Sequence, residues 1–277
     1  MGVYTIDLKE KFRFTRLHSV WDFNWNSGFA NDGELHRPWE IVYVVSGSVR
    51  VTEDSRIYDM HEGDIIIHAP MEFHNIKSAD GTSPHVYITT AVVEGELPQN
   101  LTEGVFSLSN SEKAEYEAFF KRLYSFYYDH NDDLLLGQEC MSALGSFLIR
   151  LGTSHRANEL LSKSRSAAEY NRLASGLSLM LYKNATIEEI ANELSVSVGN
   201  MKVLFKKYCG IGPKMYYDRL RCSEAIRLLG EGYTAAEISY KMNFSSPSYF
   251  NTFFKRMTGK PPMHYTRKTK DKDEVAK

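Results

Sequence analysis

The chain has 277 residues, of which 43% are hydrophobic, 25% charged and 13% aromatic, and this composition excludes disordered and fibrous proteins. The net charge of −2 hides an asymmetry. Residues 1–159 carry 13 Lys+Arg against 24 Asp+Glu, a net −11, whereas residues 160–277 carry 20 against 11, a net +9. A basic half of this size suggests a polyanionic partner.

The sequence gives no sign of secretion or of a membrane span. The first residues, MGVYTIDLKEKF, lack an apolar core, and no run approaches the ~18 apolar residues of a spanning segment. The three cysteines, Cys140, Cys209 and Cys222, are odd in number and form no Cys-x-x-Cys pair, which argues against a disulfide framework or a zinc ribbon. We therefore expect a cytoplasmic protein without a membrane partner.

Short β-rich runs fill residues 12–108. The clearest cover residues 40–45, 48–52, 64–68 and 85–93, and Gly47, Gly63, Gly81 and Pro84 separate them. Many short strands with regular turns predict a sandwich or a barrel.

The pattern becomes helical after this region. One helix is expected over 111–129, with Ser111 or Asn110 as N-cap, and a second over 133–151. A small barrel would not bury all of their apolar residues, so part of this surface is expected to meet a partner. The alternative is that these residues pack only onto the barrel and the linker. They are Phe119, Phe120, Leu123, Phe126, Tyr127, Leu134, Leu135, Met141, Leu144, Phe147, Leu148 and Leu151.

The basic half contains an internal repeat. Residues 189–216 match residues 237–265 at an offset of 48, which becomes 49 because the second copy has one extra residue in its turn. Each copy predicts a short helix, a turn and a second helix. In the first copy the short helix has one buried face, formed by Ile187, Ile190, Ala191 and Leu194.

The turn between the two helices has the same pattern in both copies, with an apolar residue followed by a serine. It reads Ser195-Val196-Ser197 in the first and Asn243-Phe244-Ser245 in the second, so Val196 and Phe244 can fill the angle between the helices. Asn243 stands where a left-handed conformation is expected, and Asn tolerates that conformation well. Ser197 and Ser246 are the expected N-caps of the second helices.

The second helix of each copy has an apolar face, formed in the first copy by Met201, Leu204, Phe205 and Tyr208, and a polar face. Polar side chains of this kind can read base edges and phosphates in a DNA major groove. The alternative is that the two copies are purely structural helical hairpins. The polar faces consist of Asn200, Lys202, Lys206 and Lys207 in the first copy, and of Ser248, Asn251, Thr252, Lys255 and Arg256 in the second.

A helix is expected over 213–229, with Tyr216, Leu220, Ala225 and Leu228 facing inward. This helix would hold the two copies about one DNA turn, ~34 Å, apart.

At these residues the sequence resembles the AraC-type family of bacterial transcription regulators, over about residues 165–267. The most specific segments are SPSYFNTFFKRMTG at 246–259, followed by Pro262 and Tyr265, and FKKYCGIGP at 205–213, followed by Tyr216. The resemblance implies double-stranded DNA as a partner. The implied base contacts are Gly199, Asn200, Lys202 and Val203 in the first copy, and Pro247, Ser248, Asn251 and Thr252 in the second. The rest of the expected DNA-binding set consists of Ser197, Lys206, Ser246 and Lys255. Of these, Lys206 and Lys255 are expected to contact phosphates.

Two features depart from the family pattern. Asn243 stands where the family commonly has Gly, and the reading positions contain no arginine, the usual reader of guanine. The second departure favours readout of DNA shape and phosphates.

The acidic half contains a stretch that looks like the two cupin motifs. It reads Gly28-x5-Glu34-x-His36-x3-Glu40-x6-Gly47, and then Gly63-x10-His74 with Pro70 near its end. Cupin-like barrels are the sensor domain in many members of the family. Metal-binding cupins have a second His at the Glu34 position. Glu34, His36, Glu40 and His74 are the candidate metal ligands of this chain.

An effector pocket without metal is the competing hypothesis. His36, Glu40 and His74 would form its polar walls, and Trp39 or Tyr43 would supply an aromatic plane, which suits sugars or similar polar ligands; Trp39 and Tyr43 could also be plain core. His18, His61, His68 and His85 are expected to be surface or strand residues rather than ligands, and Trp21 and Trp25 could help to close the pocket.

We therefore predict a multidomain fold, with an N-terminal all-β cupin-like barrel plus two helices and a C-terminal all-α domain with two helix-turn-helix motifs. The expected parts are a sensing domain (1–110), a helical dimerisation region (111–155), a linker (156–168), a DNA-binding domain (169–267) and a charged tail (268–277).

The predicted function is transcription regulation through DNA binding, controlled by a small, sugar-like effector and without enzymatic activity or a cofactor. A homodimer is expected, and RNA polymerase is a further candidate partner. Two alternatives remain: a metal-dependent cupin enzyme with an accessory helical domain, and a DNA-architectural protein without a ligand.

Overall fold

The computed structural model describes residues 10–266 apart from residue 32, residues 54–55, residue 156 and residues 158–163. The predicted tail at 268–277 and part of the predicted linker therefore lie outside the described residues. The chain divides into two compact units, Met1–Ser162 and Lys163–Lys277.

Antiparallel β-sheets form the framework of the first unit. The strands are β1 (Phe12–Asn24), β2 (Trp39–Ser46), β3 (Ser48–Glu53), β4 (Arg56–His61), β5 (Asp64–His68), β6 (His74–Ser78), β7 (His85–Gly95) and β8 (Val105–Ser107). One sheet has five strands in the order β1-β7-β2-β5-β8, and the other has three in the order β4-β3-β6. The predicted β-rich fold of the N-terminal region is thereby confirmed.

β2 is buried on both faces, and its alternating side chains divide the unit into two cores. Val42 and Val44 pack in a cluster with residues of both sheets, such as Val49. Ile41 and Tyr43 point the other way and pack in a second cluster that includes the helices. Residues of β2 with odd numbers therefore lie on the helix side.

Two helices, α1 (Asn110–Asp129) and α2 (Leu134–Ser154), follow the strands. The N-cap of α1 is Ser109, not the predicted Ser111 or Asn110. Ser109 and Glu112 form a capping box, in which each side chain binds the other residue's backbone N–H, and only this spacing allows both bonds. Asp133 caps α2 by accepting from the backbone N–H groups of Leu135 and Leu136.

Most of the apolar residues that were expected to meet a partner are buried inside the first unit. Phe120, Leu123, Leu144 and Leu148 are at most 1% exposed, because the five-stranded sheet supplies a broad apolar surface for both helices. The expectation that the barrel could not cover these side chains was wrong for them. Of that set, only Leu134 and Leu135 are strongly exposed, at 82% and 84%.

α2 is long and apolar enough, by length and composition alone, to span a membrane, with a mean hydropathy of 1.2 over 18 residues. An unbroken apolar run did not reveal it, because polar and glycine residues at 137–139 interrupt the pattern. Its Cys140, Leu144 and Leu151 lie in the core of the first unit, and core helices of soluble proteins pass the same test.

The second unit is helical over its described residues. Its first helix begins at Arg165, inside the predicted linker and four residues before the predicted start of the DNA-binding domain. The predicted all-α region with two helix-turn-helix motifs is confirmed. The helices are α3 (Arg165–Leu179), α4 (Ile187–Glu193), α5 (Val198–Cys209), α6 (Pro213–Gly230), α7 (Ala235–Lys241) and α8 (Pro247–Thr258).

The two copies of the repeat have equivalent helix ends. α4 and α7 each begin with a Thr–Glu capping box, Thr186 with Glu189 and Thr234 with Glu237. α5 and α8 begin at the predicted N-caps: the Ser197 hydroxyl accepts from the Asn200 N–H, and that of Ser246 accepts from the Tyr249 N–H. α5 and α8 also end alike, each at a glycine in the left-handed conformation.

Candidate nucleic-acid interface and ligand cavity

The turn between the helices has the same geometry in both copies. Ser195 and Asn243 adopt the left-handed conformation, with φ of 54° and 55°. In the first copy the Val196 N–H donates to the Ala191 carbonyl, and in the second the Phe244 N–H donates to that of Ser239. This is the Schellman closure, which ends a helix and redirects the chain at a fixed angle.

The second helix of each copy is anchored by its apolar face. In the first copy Met201, Leu204 and Phe205 are buried, and in the second Phe250 and Phe254 are buried. The opposite faces are open to solvent. The exposed residues that were predicted to bind DNA are Gly199, Asn200, Lys202, Val203 and Lys206 on α5, and Pro247, Ser248, Asn251, Thr252 and Lys255 on α8.

Some of these polar groups already have local partners. The Lys206 ammonium donates to the Gly210 carbonyl at the end of its own helix, and the Thr252 hydroxyl donates to the Ser248 carbonyl at 3.1 Å. Ser197 and Ser246 use their hydroxyls as caps. Asn200, Lys202 and Asn251 are therefore better placed than these residues to direct their amide or ammonium groups toward DNA.

Lys214 is a further basic residue on this surface that the sequence analysis missed. It lies in the first turn of α6 and lines, with Lys202 and Lys206, a surface hollow of about 620 Å³. Three ammonium groups around one hollow suit a phosphate of the DNA backbone. Glu188 also lines the hollow, and Lys214 is paired with Asp218 on its own helix. The signal in the sequence was a lysine directly after Pro213 at a helix start.

The first unit holds a cavity of about 570 Å³. One wall is an aromatic stack that runs from Trp21 through Phe23 and Trp25 to Phe29, with centroid distances of 5.4, 5.6 and 3.9 Å between successive rings. The other walls are largely polar. The remaining lining residues are His18, Ser19, Asn31, Glu34, His36, Pro38, Glu40, His74, Ile76, Ile88 and Thr90.

Glu40 is the centre of the polar wall. Its two carboxylate oxygens lie 3.1 Å from His36 Nε2 and 3.2 Å from His74 Nε2. Burial opposes charge on Glu40, but the hydrogen bond with His36 and the close contact with His74 hold the pKa of this carboxyl well below its usual range. For His74, burial also opposes charge, yet the contact with Glu40 raises its pKa above the usual value.

Both imidazoles are fixed at their other nitrogen. His36 Nδ1 lies 3.0 Å from the Pro38 carbonyl, and His74 Nδ1 lies 3.0 Å from the Glu72 carbonyl. A carbonyl accepts only from a protonated Nδ1, which leaves Nε2 of both rings directed at Glu40. Metal-binding histidines have this arrangement, and the donor atoms of the three residues lie within 4.8 Å of one another.

A second buried cluster lies beside the first. His68 Nδ1 is 3.0 Å from Glu53 Oε1, and the two residues form a group with Glu72. The His68 ring stacks on the His74 ring at 4.1 Å with an interplanar angle of 2°. Burial, and then the charge of His74, hold the pKa of His68 well below its usual value, whereas burial raises the pKa of Glu53 to about 7.

Comparison with known proteins identifies both units. One family model, described as a helix-turn-helix domain, matches residues 190–268, and another, described as a cupin domain, matches residues 26–91. The chain is 26% identical over 111 residues to the HTH-type transcriptional activator RhaS of Salmonella schwarzengrund. The chain therefore contains a helix-turn-helix domain in its second unit and a cupin domain in its first. The alignment covers 40% of this chain and 40% of RhaS, so the chain spans about two fifths of the curated relatives that it matches.

Solved structures align with the chain over different lengths. ToxT from Vibrio cholerae aligns over 93% of this chain and 97% of that one, with 14% identity and a TM-score of 0.37. A transcriptional regulator from Chromobacterium violaceum, described as containing an AraC-type DNA-binding domain, aligns over 36% of this chain and 92% of that one, with 27% identity and a TM-score of 0.32.

The structure brings only part of the predicted pocket together. His36, Glu40 and His74 meet, and Trp21 and Trp25 line the same cavity. Trp39 and Tyr43 are not among the lining residues. Their side chains point to the face of β2 opposite that of Glu40 and pack against the helices. There the Tyr43 hydroxyl donates to Glu117 at 2.9 Å.

One other expectation about the barrel needs correction. Glu34 lines the cavity but is exposed, accepts from the Asn31 amide at 3.0 Å and does not join the group of His36, Glu40 and His74. His68, expected to be a surface or strand residue, is the last residue of β5 and is fully buried in the second cluster. Its position follows from the register, because His68 pairs directly with Glu40 across β5 and β2.

Proposed function

We propose that this chain is a transcription regulator that binds double-stranded DNA through α5 and α8. The observation that carries the proposal is the pair of identically closed turns, each of which presents a helix with a buried apolar face and an exposed polar face. The net charge of +9 after residue 160 supports a polyanionic ligand. Asn200, Lys202 and Asn251 are the proposed base readers, and Lys206, Lys214 and Lys255 are proposed for phosphates.

A small, polar effector in the cavity of the first unit is the proposed signal. The described lining residues include two carboxylates, Glu34 and Glu40, and neither lysine nor arginine, which disfavours an anionic ligand. Aromatic faces opposite hydrogen-bonding groups suit a neutral polyhydroxylated molecule such as a sugar. To act as a signal, the effector must bind one arrangement of the protein better than another.

The proposal includes a homodimer, with RNA polymerase as a further partner, in the cytoplasm. Leu134 and Leu135, exposed together at the start of α2, support a contact of the helical region with a second copy. The boundaries proposed for sensing, dimerisation and DNA binding remain 1–110, 111–155 and 169–267.

The first experiment is DNA binding by the full chain to the DNA upstream of its own coding sequence, at roughly 50 and 200 mM salt with excess competitor DNA. Specific binding that weakens steeply with salt is expected. Equal binding to competitor and target would contradict sequence-specific regulation. Neutral monosaccharides, added one at a time to the complex, then test the effector proposal.

The group of His36, Glu40 and His74 favours one second candidate, a metal-dependent cupin activity. Two imidazoles and a carboxylate suit a borderline divalent cation, which would supply Lewis acidity. Calorimetric titration of the full chain with ZnCl2 and MnCl2 tests this candidate. Stoichiometric binding that is lost in His74→Ala, but kept in the control His85→Ala, whose side chain is paired with Asp22 outside this group, would support it. Absence of binding would oppose it.

A further inference from the structure

A buried arginine on α6 lies between the two copies of the repeat. Arg221 is 3% exposed. One guanidinium nitrogen donates to the side-chain oxygen of Asn184, in the turn that precedes the first copy. Another donates to the Met242 carbonyl at 2.6 Å, in the turn of the second copy. The guanidinium also lies over the ring of Phe244, 3.9 Å from its centroid.

Arg172 on α3 makes a similar contact in the first copy. Arg172 donates to the Leu194 carbonyl at 3.1 Å, and Leu194 ends α4 as Met242 ends α7. The remaining nitrogens of Arg172 bind Glu169 on its own helix, and its side chain is 47% exposed. The arginine contact with the end of the short helix is therefore a local cap in the first copy and part of a bridge between the copies in the second.

A second bond crosses the same boundary. Asn243 holds the left-handed position of the second turn, and its side-chain amide donates to the Lys183 carbonyl at 3.4 Å. Glycine could adopt this backbone conformation but could not make this bond. The turn at 183–184 is thus tied to the turn at 242–243 by Arg221 and Asn243, which together form the Arg221 junction.

The position of this junction determines what it can control. The turn at 242–243 sets the direction of α8, and the turn at 183–184 leads directly into α4 and so into the first copy. A buried charge that loses a partner is strongly destabilising, so the guanidinium tolerates few arrangements of the two turns. One carboxylate oxygen of Asp218, also on α6, lies 3.7 Å from a guanidinium nitrogen of Arg256 near the end of α8, and the other is paired with Lys214.

We propose that Arg221 is the positioning residue that fixes α5 and α8 relative to each other, and that it thereby restricts the protein to one spacing between two major-groove sites. The DNA part of this inference rests on the proposed function. One inserted base pair displaces the second groove by about 3.4 Å and rotates it by about 34°. A rigid pair of helices cannot follow that change, whereas a loosely joined pair can.

The first test needs no DNA. Spin labels are placed on the full chain at Val203→Cys and Thr252→Cys, both exposed, while the three native cysteines are buried. Double electron–electron resonance then gives the distance distribution between α5 and α8. A narrow distribution is expected in the parent and in Arg172→Met, and a broad one in Arg221→Met. Equal widths in Arg221→Met and Arg172→Met would overturn the proposal.

Two milder variants separate positioning from loss of fold. Asn243→Gly keeps a backbone that suits the left-handed turn and removes only the bond to Lys183, so helical circular dichroism should stay unchanged while the distance distribution broadens. Arg221→Lys keeps the charge but not the forked geometry, and intermediate broadening is expected. Broadening only in variants that also lose helical signal would count against a positioning role.

The second test uses a footprinted DNA fragment and a copy with one base pair inserted between the two protected grooves. The parent and Arg172→Met should lose about tenfold or more in affinity, and Asn243→Gly less than about threefold. Equal losses would overturn the role in spacing. If the chain binds no specific DNA, the proposed function fails, but the resonance measurement still decides whether the junction holds the helices.

Discussion

Glu53 is a carboxyl group that is 3% exposed and in contact with His68. Burial raises its pKa from 4.5 to about 7. The folded chain therefore keeps a proton that the unfolded chain releases, so the contribution of Glu53 to stability is full below pH 4.5 and is lost as pH rises through about 7.

Glu53→Gln should flatten the pH dependence of stability. Between pH 6.5 and 8.5 the parent is expected to lose melting temperature, and Glu53→Gln is expected to lose less. His74 contributes a slope of the same sign to both proteins, since its pKa is also raised. Tryptophan fluorescence reports the melting temperature of the first unit alone, because Trp21, Trp25 and Trp39 all lie in that unit. A slope equal to that of the exposed control Glu96→Gln would contradict this origin.

Asn251→Ala and Lys202→Ala should weaken specific DNA binding without changing the fold. Loss of one base-reading side chain is worth about 1–3 kcal/mol, which is about 5- to 150-fold in Kd. Quantitative footprinting gives the change, with Lys121→Ala on the exposed face of α1 as the control. An unchanged footprint and Kd for both variants would refute the assignment of α5 and α8 as reading helices.

Single residues were predictable where one local rule decides the outcome. The caps Ser197 and Ser246 and the left-handed Asn243 follow from turn chemistry within a few residues. The cluster of Glu53 and His68 depends on strand register across the sheets, and no local pattern contains that information. Strand parity would have separated Tyr43 from Glu40, since neighbours at odd spacing face opposite sides.

At the scale of elements, α1 is attached to the edge strand that lines the cavity. The Tyr127 hydroxyl donates to the His18 carbonyl at 2.9 Å, and the Tyr128 hydroxyl donates to the Val20 carbonyl at 3.0 Å. These bonds occupy edge groups of β1 that would otherwise be open to pairing with another strand. α1 therefore both covers the sheet and protects its edge.

Replacing both tyrosines by phenylalanine should loosen this attachment. Each lost hydrogen bond is worth about 0.5–1.5 kcal/mol, so the free energy of unfolding of the first unit should fall by about 1–3 kcal/mol. Urea unfolding followed by tryptophan fluorescence measures the change. Tyr124→Phe is the matched control, since its ring packs between those of Phe120 and Tyr128 on the same helix. A double variant as stable as this control would show that the two hydroxyls do not hold α1.

Elements of the repeat were easier to predict than those around the barrel. Because the sequence contains two copies, each cap and each apolar face is predicted twice, and the two predictions agree. The N-cap of α1 has three candidate residues in succession, and the capping box with Glu112 selects the first of them. The burial of α1 and α2 could not be predicted, because it depends on the width of a sheet assembled from distant strands.

At the scale of the whole molecule, DNA affinity should depend on salt through the lysines of the second unit. Each neutralised phosphate contributes about −0.9 to the slope of log K against log salt, so Lys255→Ala should reduce the slope by about 1. Lys206→Ala should have a smaller effect, because its ammonium already binds the Gly210 carbonyl. Fluorescence anisotropy at four salt concentrations, with Lys121→Ala as the control, gives these slopes. An unchanged slope for Lys255→Ala would remove that residue from the phosphate contacts.

The difference between Arg172 and Arg221 limits how this protein can be recombined. An internal repeat suggests that each helix-turn-helix copy could be exchanged between related proteins as an independent module. The burial of Arg221 against Asn184 contradicts that view, since a second copy transplanted alone would expose this guanidinium and lose one of its partners. Chimeras that exchange DNA specificity with relatives should therefore transfer α3 to α8 together, or alter only the exposed faces of α5 and α8.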